Sequence, residues 1–84
     1  MIANKSVEYY MSLPYSIIVR PDRQQGGWYI KVAELEGCMT QADRWEDVLP
    51  MAEEAMRLWL EATLEDGDPV PEPDDAINGR TGLS

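Results

Sequence analysis

Sixteen carboxylates and no histidine bound the chemistry open to this 84-residue chain. Without imidazole, Ser-His and Cys-His nucleophile pairs, histidine-ligated zinc and imidazole proton shuttles are excluded. Carboxylates can still hold hard cations, so their spacing decides. Glu34 and Glu36 lie two apart in a connecting segment, and two carboxylates without further oxygen ligands make a weak cation site. They are read as solvated loop acids, and no metal is assigned. A nuclease working with paired metal ions needs several converging carboxylates, with an acid at the centre of its first strand. The first strand-like segment, Tyr15-Ser16-Ile17-Ile18-Val19, contains none. The single cysteine, Cys38, can neither close a bridge within the chain nor build a multi-cysteine metal site. No Lys or Arg adjoins it to favour the thiolate, so a small buried apolar side chain is expected. Trp45, Met56 and Trp59 recur at helical spacing, which marks a buried stripe rather than a ligand slot. No catalytic residue and no cofactor are expected.

Charge is distributed unevenly. The net charge is −9, and the whole excess falls after Trp45: residues 1–45 balance, whereas residues 46–84 oppose their many acids with only Arg57 and Arg80. Phosphate backbones repel such a surface, since nucleic-acid affinity rests on Lys and Arg displacing counterions. Direct nucleic-acid binding is not expected, while a basic protein would be attracted and steered. Glu61, Glu65, Asp66 and Asp68 crowd a helix carboxyl end, where each added negative charge is disfavoured by about 0.3–1 kcal/mol. A cationic partner would relieve that cost; the competing reading is a solvated face serving solubility.

The elements that position these groups follow from local patterns. The length allows one domain. Residues 1–14 form an extension in which Ser6 can cap a short helix before Leu13-Pro14 ends it. Tyr15–Val19 reads as a first strand, and Gly26-Gly27 opens a second, Trp28–Ala33, with Trp28, Ile30 and Val32 alternating against Tyr29, Lys31 and Ala33. The intervening segment predicts a longer, mobile hairpin loop. Gly37 is free to take a positive φ in the next connection, and Cys38–Ala42 is a third strand. Asp43 and Glu46 have the spacing of a capping box. From there Trp45, Val48, Leu49, Ala52, Ala55, Met56, Trp59, Leu60, Thr63 and Leu64 recur at three and four, predicting a long amphipathic helix that Gly67 terminates. Pro50 conflicts with an early start, and a kinked helix is favoured over a tight turn preceding a helix that begins nearer Asp47. Glu53 and Arg57 form the one well-oriented pair four apart. Pro69, Pro71 and Pro73 then give an extended segment that could add a fourth edge strand, and residues 74–84 are expected to be a disordered tail. The fold class is therefore α+β, a three-stranded antiparallel sheet with one long helix on one face. Ser16, Ile18, Arg20, Tyr29, Lys31 and Ala33 fall on the opposite face. Ile18 and Tyr29 at its centre, with Lys31 beside them, are the candidate interface for a homo-oligomer, which would also shore up a small core. No segment is apolar enough to span a membrane, and no secretory signal is recognisable, so a cytoplasmic location is expected.

Together, Tyr9-Tyr10-Met11-Ser12-Leu13-Pro14-Tyr15, Gly26-Gly27-Trp28-Tyr29, Leu35-Glu36-Gly37-Cys38, Thr40-Gln41-Ala42-Asp43, the amphipathic helix and Glu65-Asp66-Gly67-Asp68-Pro69-Val70-Pro71-Glu72-Pro73 resemble HicB-like antitoxins, over roughly residues 8–73. The resemblance implies a partial RNase H-like β-β-β-α-β domain over residues 15–73. It also implies a role as a protein that binds a HicA-like toxin, a small basic mRNA-cleaving protein, and occludes its active surface. Glu34, Glu36, Glu61, Glu65, Asp66 and Asp68 are the candidate toxin contacts. Many members append a DNA-binding module after the segment matching Pro69–Pro73; none is recognisable here, and operator binding is not expected. Three positions depart from the pattern: Glu36 where the family has proline, Ala42 where it has glycine, and Arg44 where Ser or Thr is common, which shifts capping onto Asp43. The alternatives from other classes are a stand-alone oligomeric module without a toxin and a metal-dependent RNase H-like nuclease.

Overall fold

The computed structural model describes residues 5–73, so the reading of residues 74–84 lies outside the described residues. Ser6 accepts a hydrogen bond from the Tyr9 amide and caps a short helix, α1 (Val7–Met11), as its sequence predicts. Three strands follow, β1 (Ile17–Pro21), β2 (Trp28–Val32) and β3 (Met39–Ala42), and then the long helix α2 (Val48–Asp66). The sheet is an antiparallel meander in the order β1-β2-β3. Its register sets Val19 beside Ile30 and Ile30 beside Thr40. Because strand side chains alternate, the same register turns Ile30 and Val32 toward α2 and leaves Lys31 outside.

β1 begins two residues later than its β-branched run suggests and takes in Arg20 and Pro21. Proline is tolerated there because β1 is an edge strand, whose outward amides need no ladder partner. The hairpin loop shrinks accordingly to residues 22–27. Asp22 organises it, accepting through its carboxylate from the Gln24 and Gln25 amides and through its carbonyl from Gly26. Gly27, at φ 79°, has no room for a side chain: a Cβ would come within 2.5 Å of the Ala42 carbonyl oxygen.

α2 starts differently from its sequence signal. Residues Trp45–Asp47 form a 3-10 turn, and the α-helix proper begins at Val48 and runs unbroken to Asp66, which is the tight turn before a later start. Pro50 thereby falls in the first helical turn, where its missing amide would have had no helical partner. The Asp43–Glu46 capping box does not form; neither helical start has a side-chain cap. Val48, Ala52, Met56 and Leu60 form the buried stripe. Trp45 and Leu49, assigned to that stripe, are instead 61% and 55% exposed. A 3-10 turn advances three residues per turn, so Trp45 drops out of the 3.6-residue phase and its ring meets Trp28 edge-on, 4.9 Å between centroids. Arg57 pairs with Glu8 of α1 at 3.2 Å rather than with Glu53. Gly67 ends α2 in the left-handed conformation, with its own amide bonded to the Leu64 carbonyl and the Asp68 amide to Thr63.

The segment after Gly67 adds no fourth strand among the described residues. It turns back instead and docks beside α1. Tyr15 donates its hydroxyl to the Pro71 carbonyl at 2.6 Å, Lys5 and Tyr9 both reach the Glu72 carboxylate, and Pro73 is buried. Burial, with the Glu72 charge nearby, pushes the Tyr15 phenol up to about 12. A raised folded-state pKa means the stabilisation is complete below the ordinary phenol value of about 10 and disappears as pH climbs from there through 12. The stability gap between wild type and Tyr15→Phe, followed by unfolding against pH, should therefore narrow over that interval. A stability gap that does not change over that interval would contradict the docking of this segment.

Candidate functional site

Leu35 is the pivot of the β2–β3 connection. Its side chain is fully buried, so Glu34 and Glu36 on either side are turned toward the surface. The Cys38 amide bonds to the Leu35 carbonyl across Gly37, whose φ of 83° is the positive value its position predicts. Trp59, half-buried on α2, donates its indole N–H to the Glu36 carbonyl at 2.9 Å and ties this turn to the helix. From the other side, the reversal at Gly67 and the Tyr15–Pro71 bond bring Asp68, Pro69 and Pro71 alongside. The result is an open groove of about 420 Å³ lined by Glu34, Glu36, Trp59, Thr63, Asp68, Pro69 and Pro71.

Three of the six candidate contacts, Glu34, Glu36 and Asp68, thus meet in one place although they are far apart in sequence. Glu34 also has a structural duty: its carboxylate accepts from the Ser16 amide and hydroxyl, both at 2.8 Å. Glu61, Glu65 and Asp66 are exposed on the last turns of α2 and do not line the groove. Carboxylates around an indole wall and two prolines suit a Lys or Arg side chain, whose stem packs on the apolar walls while its charge meets the acids.

Among the described residues no group of three or more His, Cys, Asp or Glu side chains could hold a metal ion. β1 carries no acid. Cys38 lies in the core, where burial pushes its thiol pKa up and away from the reactive thiolate. No helix among the described residues is long and apolar enough to cross a membrane.

The outer sheet face carries Ile18, Lys31 and Met39 in one row of the register and Arg20, Tyr29 and Gln41 in the next. Met39 is 49% exposed, and its sulfur accepts from the Tyr29 hydroxyl. It belongs to this surface as much as Ile18, Tyr29 and Lys31, but only the β2–β3 register reveals it.

Residues 15–80 match the family described as the HicB-like antitoxin of bacterial toxin-antitoxin system. The chain belongs to the HicB-like antitoxin family. Its relatives include a UPF0150 protein of Archaeoglobus fulgidus, 33% identical over 67% of this chain and 83% of that protein. A UPF0150 protein of Synechocystis sp. is 28% identical over 71% of this chain and 75% of its own length. No solved structure matches. The departures of this HicB-like chain from the family pattern now have places. Glu36 lines the groove, Ala42 is buried against α2, and Arg44 pairs with Asp47 at 3.5 Å, while Asp43 caps neither helical start.

Proposed function

We propose that this HicB-like chain is the non-catalytic antitoxin of a toxin–antitoxin pair, acting in the cytoplasm by binding a small basic HicA-like mRNA-cleaving toxin and covering its active surface. The observation that carries this reading is the convergence of Glu34, Glu36 and Asp68 on a groove walled by Trp59. An RNA-cleaving protein must present Lys or Arg to phosphates, and the same side chains are what such a groove accepts. Glu61, Glu65 and Asp66 extend the negative field along the neighbouring end of α2 and steer the encounter.

The test is association with a purified small basic HicA-like protein, sought first among the products of the adjacent reading frames. Neutralising Glu36, Glu61, Glu65, Asp66 and Asp68 to their amides should slow association roughly 10-fold at low salt and flatten its salt dependence. Unchanged association at low salt would place docking elsewhere on the molecule. No complex with that protein, and no protection of cells from it, would end the antitoxin reading itself.

A further inference from the structure

The two edges of the sheet are not alike. β1 carries Arg20 and ends in Pro21, a charge and a missing donor that both discourage further pairing. β3 has neither. From Gly37 to Ala42 the chain contains no charged residue and no proline, and among the described residues β3 pairs only with β2. An uncharged open edge invites another strand.

Beside this edge, between β3 and α2, runs a groove of about 450 Å³ lined mainly by apolar groups, among them Met51, Ala55 and Leu58. Leu58 is 60% exposed on a helix whose core stripe lies elsewhere. Met51, Ala55, Leu58 and Ala62 recur at four, three and four residues, the repeat of a helix–helix seam. α2 therefore has a second apolar stripe, turned sideways toward the β3 edge.

We propose that two copies of this chain associate about a two-fold axis at the free edge of β3, joining two three-stranded sheets into one and packing the α2 helices together through Met51, Ala55 and Leu58. A two-fold axis makes β3 antiparallel to its copy, the same sense in which the sheet is already built. It also places both α2 helices on one face, side by side and antiparallel. Strands lie about 4.8 Å apart, and α2 packs over β2 and β3, about one strand spacing from the axis. The two helices would then lie about 10 Å apart, the distance at which helices pack. One symmetry operation thus satisfies the strand edge and the helical stripe together. An isolated strand from another protein would satisfy only the edge.

Charge opposes this surface little. Copies carrying −9 each repel over most of their surface, and a face-to-face pairing of the outer sheet surfaces would set Arg20 and Lys31 against their own copies. Along the β3 groove Glu54 is the single charged lining residue. The proposal is independent of toxin binding.

Sedimentation of the full chain over a range of concentrations tests it. Wild type should be dimeric, and Leu58→Asp should raise the dimer dissociation constant at least about 100-fold while helical circular dichroism is kept, since Leu58 is exposed. Ile18→Asp, on the outer sheet face, should leave the dimer intact. Amides of β3 should gain hydrogen-exchange protection with protein concentration. A chain that stays monomeric up to about 1 mM, or a dimer lost with Ile18→Asp and kept with Leu58→Asp, would overturn the proposal.

Discussion

Replacing Leu60 by Ala is expected to lower the melting temperature by about 10–25 °C and leave a domain close to unfolding under ordinary conditions. Leu60 is fully buried and packs among Tyr10, Tyr15, Val32, Leu35, Cys38 and Met56. That cluster joins α1, β2, the β2–β3 connection and α2, whereas Ile30, Ala42, Val48 and Ala52 form a second cluster nearer the start of the helix. Truncating a buried leucine costs about 2–5 kcal/mol, with the upper values where neighbours cannot collapse into the space. Here those neighbours sit on different elements held by their own hydrogen bonds, Tyr15 to Pro71 among them, so collapse is poor. A core of this size supplies only about 3–5 kcal/mol in total. The control is Leu49→Ala on the same helix, which should change stability by less than about 0.5 kcal/mol because Leu49 is exposed. Thermal and urea unfolding followed by circular dichroism measure both. A Leu60→Ala shift under about 4 °C would mean that the core is not arranged as described.

The contrast between Leu60 and Leu49 also shows what could be read along the chain. Periodicity places Val48, Ala52, Met56 and Leu60 correctly because a long helix repeats one phase many times. It fails at Trp45, where a 3-10 turn breaks the phase and a pattern of apolar spacings carries no record of that break; Leu49 keeps the helical phase yet is exposed near the start of α2. Strand alternation finds Ile30 and Val32, but the membership of Met39 in the outer face depends on the pairing of Lys31 with Met39, which is a register and not a composition. In the candidate site, Glu34, Glu36 and Asp68 are visible as acids. Their convergence is not, because it depends on Leu35 turning inward, on the reversal at Gly67 and on a hydrogen bond between Tyr15 and Pro71 across the chain. The missing fourth strand has the same origin. Pro69, Pro71 and Pro73 suit extended backbone, yet Lys5 and Tyr9 on the α1 side capture Glu72 and draw the segment away from the sheet.

Trp59→Ala should cost about 2–4 kcal/mol, less than a fully buried tryptophan because part of the indole faces solvent. Trp59→Phe should cost about 1 kcal/mol, since most of the packing survives and the Glu36 carbonyl, near the surface, can take a water in place of the lost indole donor. The two variants separate the indole's parts. Its ring belongs to the core beside Met56 and Leu60, and its N–H sets the position of the turn bearing Glu34 and Glu36. Stability should therefore follow ring size, whereas toxin affinity should suffer in both variants, because Trp59→Phe releases the turn while leaving the fold in place. Equal stabilities for the two variants would mean that the hydrogen bond, not the packing, is what α2 needs from Trp59. A Trp59→Phe protein that binds the toxin as tightly as wild type would show that the groove does not depend on that bond for its shape, and the contacts of the basic partner would then have to lie on the exposed acids of the helix end.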